Sequence, residues 1–236
     1  MAKEYLTHSY VDHFLQAEII TRLASSDNPI RFSDLKEDGI ENSLFMYHAN
    51  KLIDRGLVSK QADGFKLTTK GARWANFAGI NNSFRTLLPR PLIQFVIKAP
   101  DNNLLIASRK GQLKELLNDF MLPGDLHSFG STATENADRI LREMFGDNSF
   151  NPSLLTTAEI IQDYEDGFVY HTLSHVFEII LEIQELPISN DLFEYTWIAQ
   201  DKITLSNQEF NNSKFLPMFI AKLPNLDQHE VFQIKQ

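Results

Sequence analysis

The chain has 236 residues, 43% hydrophobic and 22% charged, and no cysteine; this fits one or two folded domains and excludes a disordered chain, disulfides, thiolate metal sites and cysteine nucleophiles. The formal net charge of −9 is uneven: residues 1–90 carry 12 basic and 10 acidic side chains (+2), residues 91–236 carry 10 and 21 (−11), so contact with a polyanion is expected only in the first half. No apolar run approaches the ~18–20 residues of a membrane helix, and Met1–Thr21 lacks the basic start and compact apolar core of a signal peptide, so a cytoplasmic protein with no membrane partner is expected.

In chain order, Val11, Phe14, Leu15, Ile19 and Leu23 fall near one face of a helix expected over Tyr5–Ala24. Ser25-Ser26-Asp27-Asn28-Pro29 stops it. A short helix is expected over Phe32–Lys36, closed by Gly39. Asn42 or Ser43 can cap a third helix running to about Arg55, with Phe45, Ala49, Leu52 and Ile53 inward. Two strands, Leu57–Gln61 and Phe65–Thr68, flank Ala62-Asp63-Gly64, whose Asp-Gly suits a tight hairpin. Another helix begins at Lys70. Prolines on both sides of Arg90 favour extended backbone, so the expected division is a first domain over 1–80, a linker over 81–91 and a second domain over 92–236.

Three helices and a hairpin, with Tyr47-His48-Ala49-Asn50-Lys51-Leu52-Ile53-Asp54-Arg55-Gly56 and the wing Asp63–Gly71, resemble the winged helix-turn-helix of ArsR- and MarR-like bacterial regulators. The resemblance implies DNA binding. A major groove admits one helix, so base-reading side chains must lie opposite the core stripe. Tyr47, Asn50 and Lys51 fit base edges, and Ser43 and Met46 fit the backbone or a thymine methyl. Lys60, Lys66 and Lys70, with Arg73, suit phosphates. Such modules also serve protein contact, the lesser alternative here, and His48 reads as a structural histidine.

The second half alternates strands and helices. Leu92–Ile97 and Leu104–Ser108 are strands around an Asp101-Asn102-Asn103 turn. Phe120-Met121-Leu122-Pro123-Gly124 precedes a helix that opens on Thr132-Ala133-Thr134-Glu135, a capping-box spacing. Ala137, Ile140, Leu141, Met144 and Phe145 form its buried face. Extended segments are expected at Thr156–Tyr164, Phe168–Glu182 and Tyr195–Ile198, and a last helix at Ser213–Ala221. His171 and His175 share a face, as a metal pair or as structural histidines. Asp163, Glu165 and Asp166 read as a solvated turn.

Leu104–Arg109, Met121-Leu122-Pro123-Gly124, Arg142-Glu143-Met144, His175–Glu178 and Glu194–Ile198 resemble, in that order, the Nudix hydrolases. The fold expected from both resemblances is α+β: a winged helix-turn-helix followed by a Nudix-like α/β/α sandwich with a mixed sheet. The family box is G-x5-E-x7-R-E-U-x-E-E-x-G-U, whose glutamates hold a hard divalent cation against a diphosphate. Anchored on Arg142-Glu143-Met144, the paired glutamates fall on Gly146 and Asp147, the upstream glutamate on Thr134, and the loop is three residues too long. No catalytic residue, cofactor or metal is therefore expected. Arg109 and Arg142 are candidates to bind a diphosphate, against a surface salt bridge for Arg109 and a pair with Asp138 for Arg142.

These resemblances lead to one main expectation: a DNA-binding transcription regulator, homodimeric and not an enzyme, whose partners are double-stranded DNA and a nucleotide-like effector such as a nucleoside diphosphate sugar. The alternative is a divergent Nudix hydrolase acting on a nucleoside diphosphate compound, with the winged helix as a docking or dimerisation module.

Overall fold

The computed structural model describes residues 11–78, 89–117, 119–148, 150–165, 169–188, 192–210 and 212–235. The fold divides into two units: Met1–Leu87 with Lys110–Leu117, and Leu88–Arg109 with Asn118–Gln236.

The first unit contains α1 (Phe14–Ala24), α2 (Phe32–Leu35), α3 (Asn42–Asp54), a hairpin of β1 (Val58–Gln61) and β2 (Gly64–Leu67), α4 (Thr69–Ala78) and α5 (Gly111–Leu117). The helix expected from Tyr5 starts at Phe14, because the His13 side chain accepts from Leu15 N–H and caps it there; Tyr5–Tyr10 lies outside the described residues. Phe14, expected in the core, is 59% exposed. Neither Asn42 nor Ser43 caps α3: Asn42 is its first helical residue and Glu41 precedes it without a side-chain cap. Leu15, Ile19, Leu23, Phe45, Ala49, Leu52, Leu57 and Phe65 are buried as a hydrophobic core should be. Ile30 bridges Phe65, which adds a third extended segment to the hairpin.

Helix α5 joins this unit although the chain reaches it from the second one. Leu113 lies in the first unit's core. Gln112 is fully buried; its Oε1 accepts from Leu67 N–H at 3.0 Å and its Nε2 donates to the Asn28 carbonyl at 3.1 Å. Lys66 pairs with Glu115 at 3.0 Å.

The second unit contains β3 (Arg90–Lys98), β4 (Asn103–Arg109), β5 (Phe120–Met121), β6 (Gly124–Leu126), α6 (Ala133–Phe145), β7 (Ser153–Asp163), β8 (Val169–Ile180), β9 (Phe193–Ala199), α7 (Phe215–Lys222) and β10 (His229–Lys235). The sheet order is β10-β7-β8-β3-β4-β5, with β6 on β3 and β9 on β4. Strand β3 runs parallel to β8, and β10 parallel to β7; the other pairings are antiparallel. Strands β3 and β4 share one registered pair, Lys98 with Leu104. Beyond it β6 takes over the edge of β3, while β4 pairs with β9 and β5. The two arms of the sheet therefore diverge toward Arg90 and Arg109. Helix α7 and Phe210 cover one face, with Val96, Ile106, Val176 and Phe232. Helix α6 covers the other, with Ile93, Phe95, Leu105 and Phe177. Among the described residues no helix is long and apolar enough to cross a membrane.

Candidate functional site

The loop from Leu122 to Thr132 and helix α6 form the centre of the site. Gly124 is pressed against β3: a Cβ there would lie 2.1 Å from the Ile93 carbonyl oxygen, so only glycine allows this approach. The loop ends in a complete capping box, with Glu135 N–H donating to the Thr132 hydroxyl and Thr132 N–H to the Glu135 carboxylate. Seven residues later Arg139 reaches in two directions. Its Nη1 donates to Glu143 Oε1 at 2.8 Å, and its Nη2 donates to the Leu126 carbonyl at 3.4 Å. Its Nε is buried without a hydrogen-bond partner among the described residues.

This geometry offers a second register for the box. Helix α6 ends on Gly146, at φ 77°, and the box pattern has one glycine after its paired glutamates. Placing that glycine on Gly146 puts the box arginine on Arg139, the aliphatic position on Leu141 and the first paired glutamate on Glu143. The three-residue excess in the loop disappears. Arg142, anchored earlier as the box arginine, is an exposed residue of α6, and the i+4 carboxylate pair forms at Arg139–Glu143 rather than at Asp138–Arg142.

In this second register the remaining carboxylate positions are Ser131, Ile140 and Met144. Ile140 and Met144 are 3% and 6% exposed within the core beneath α6. A hard divalent cation needs several oxygen ligands, and the helix offers Glu143 for that task. The residues present do not fit the family's metal cluster. Among the described residues no three His, Asp or Glu side chains are grouped as metal ligands.

Histidines line the sheet beside this loop. His171 pairs with Glu159 at 2.9 Å, and His175 Nδ1 lies 3.3 Å from the Thr157 hydroxyl. His171 and His175 thus hold separate partners. The ring beside His175 is that of His127, 5.6 Å between centroids and inclined by 75°. Burial, then the nearby His127, pulls the His175 pKa below its usual value. Of the acidic run, Asp166 lies outside the described residues.

Where the sheet arms diverge, Arg109 ends β4 with its guanidinium 4.1 Å above the Phe193 ring. Its Nε is buried and has no hydrogen-bond partner among the described residues. Burial lowers its pKa to about 10, against the opposing field of Tyr170. Asp119 lies within its field and accepts from the Ser213 hydroxyl at 2.6 Å. Burial still raises that carboxyl to about 6. A cation with an unused donor, enclosed by aromatic and strand atoms, is suited to a phosphate oxygen.

The residues expected to face DNA are less available than the helix pattern suggests. Ser43, Tyr47, Asn50 and Lys60 are exposed. Met46 packs against the core. Lys51 lies 3.9 Å from Asp12 and 4.8 Å above the Tyr47 ring. Lys66 is paired with Glu115, and Lys70 donates to the Arg55 carbonyl at 3.3 Å. His48 is structural: it is 5% exposed, bonded to Gln16 at 3.1 Å and stacked on His13 at 3.9 Å.

No protein-family model matches the chain, and no curated protein matches it. Solved structures do. The MutT protein of Methanosarcina mazei Go1 is 16% identical, with 59% of this chain and 96% of that one covered at a TM-score of 0.44. The E. coli dihydroneopterin triphosphate pyrophosphohydrolase is 15% identical over 57% and 99%, TM-score 0.42. A Nudix hydrolase from Nitrosomonas europaea is 16% identical over 58% and 88%, TM-score 0.40. The last two neighbours, hydrolases by name, correct the expectation of a DNA-binding transcription regulator that is not an enzyme. The second unit is mixed α and β with an open mixed sheet.

Proposed function

We propose that the second unit is a divergent Nudix-type hydrolase acting on a nucleoside diphosphate compound. The observation that supports this most is Arg139, which ties Glu143 to the carbonyl of the Leu122–Thr132 loop in the register of a box that ends on Gly146. In the reaction, a water oxygen bonds to one phosphorus and the bridging P–O bond breaks. The departing phosphate takes the electron pair, and Glu143 takes the water proton. Arg109 and Arg142 hold the diphosphate. The box lacks the carboxylates for a cation cluster, so these two arginines supply the positive charge against the diphosphate. We infer for the first unit a winged helix-turn-helix that serves docking or dimerisation, supported by its order of three helices and a hairpin and by the Ile30–Phe65 bridge. A homodimer is expected; a monomer mass in sedimentation at every concentration would remove that part.

The test is product analysis. The full chain is incubated with a panel of nucleoside diphosphate sugars, ADP-ribose among them, and nucleoside monophosphate is followed by chromatography. Glu143→Gln is expected to lower turnover about 100-fold with the fold intact by circular dichroism. Absence of product from every compound, or full turnover by the variant, overturns the reading.

A further inference from the structure

The imidazoles of His127 and His175 belong to neither the box nor the arginine edge. His127 lies in the loop after β6, where its N–H bonds the Pro91 carbonyl at 3.1 Å and its ring Nε2 lies 2.8 Å from the Ser131 carbonyl. A carbonyl only accepts, so Nε2 carries the proton and Nδ1 keeps a lone pair. His175 projects from β8 with Nδ1 against the Thr157 hydroxyl, which leaves Nε2 for another partner. Each ring is thus oriented through one nitrogen by an oxygen, as metal-ligating histidines are. The ring centroids lie 5.6 Å apart, edge to face, within the span that two imidazoles cover when each binds one ion at ~2.0–2.1 Å. The first unit supplies a contrast. His13 and His48 lie 3.9 Å apart with planes inclined by 20°, so their in-plane lone pairs cannot converge, and His48 Nδ1 is taken by Gln16.

We propose that His127 and His175 form a two-histidine site for a borderline transition cation of the Zn²⁺, Ni²⁺ or Co²⁺ class, with the remaining coordination positions open to water or to an anionic oxygen. Imidazole donors suit these ions and not Mg²⁺. The site lies where the loop meets the sheet, on the side that carries α6, and it takes no ligand from the family's helix positions. It stands apart from the hydrolase reading, because metal binding is measured without substrate.

The experiment uses the full chain and Co²⁺, read by its visible absorption, with Ni²⁺ and Zn²⁺ followed by calorimetry. One ion per chain is expected, with a nitrogen-ligand spectrum. His127→Gln and His175→Gln are each expected to weaken binding about 10–100-fold. His171→Gln and His48→Gln are expected to bind as the parent does. Thr157→Val, which leaves both rings in place, is expected to weaken binding by a smaller factor. His127 is on a loop, so its variant reports even if His175→Gln fails to fold. No saturable binding, or unchanged binding in His127→Gln, overturns the proposal.

Discussion

Asp119 ties protonation to folding. Its carboxyl titrates near 6 in the native unit, against an ordinary value of 3.8, because burial outweighs the Ser213 hydroxyl and the Arg109 charge. The folded pKa lies above the unfolded one, so between about pH 4 and 6 the native state binds more proton than the unfolded chain. Stability from this group is therefore greatest below the unfolded value and falls as pH rises through about 6. Asp119→Asn keeps an acceptor for Ser213 and removes the buried charge. At pH 7 it is expected to stabilise the chain by on the order of 1–3 kcal/mol, and to flatten the denaturation midpoint between pH 4 and 6. A midpoint with the parent's pH slope counts against the assignment. Neither Asp119 nor Ser213 could be singled out from sequence, because 94 positions separate the bonded pair and neither belongs to a periodic pattern.

Helix α5 shows how an element can belong to a unit that its sequence neighbours do not. Removing the Gln112 side chain leaves Leu67 N–H unpaired inside the hairpin and the Asn28 carbonyl without its donor. An unpaired buried amide costs ~1–3 kcal/mol. Gln112→Ala is expected to destabilise the first unit by about 2–4 kcal/mol once the cavity is added. Hydrogen exchange at Leu67 is the sensitive readout; retained protection there would contradict the role given to Gln112. The sequence hides this helix because Gly111–Leu117 is two turns long, too short for a 3.6-residue period to declare itself. By contrast α6 was legible: its buried stripe Ala137, Ile140, Leu141, Met144 and Phe145 and its capping box are read directly from spacing. Strand β10 was readable in principle, since Glu230, Phe232 and Ile234 alternate with exposed residues. The site was partly legible. Arg109 and Arg142 stand out in the sequence as cations for a diphosphate, and the Arg142-Glu143 dipeptide sets one register of the box; the second register, on Gly146, follows from where α6 ends, which the residue pattern alone does not fix. Arg139 and the His127–His175 contact come from tertiary packing, and His127 carries no motif.

At the scale of the whole molecule, the surplus of acid after residue 90 bears on any anionic substrate. Residues 91–236 carry −11, while Arg109 offers its charge from an enclosed position. Approach is governed by the summed field and capture by the local cation, and salt acts differently on the two. Raising ionic strength from ~0.01 M to ~0.15 M shortens the Debye length from ~30 Å to ~8 Å. Long-range repulsion is then screened, while the enclosed guanidinium is screened much less. The KM for a nucleoside diphosphate sugar is therefore expected to fall about 2–5-fold over that range, with kcat unchanged. Arg109→Met is expected to raise KM at every salt concentration and to keep the same slope, because it removes capture and leaves approach as it was. A KM that rises with salt in the parent chain would mean that the local field around Arg90 and Arg109 extends beyond the site and outweighs the acidic surface.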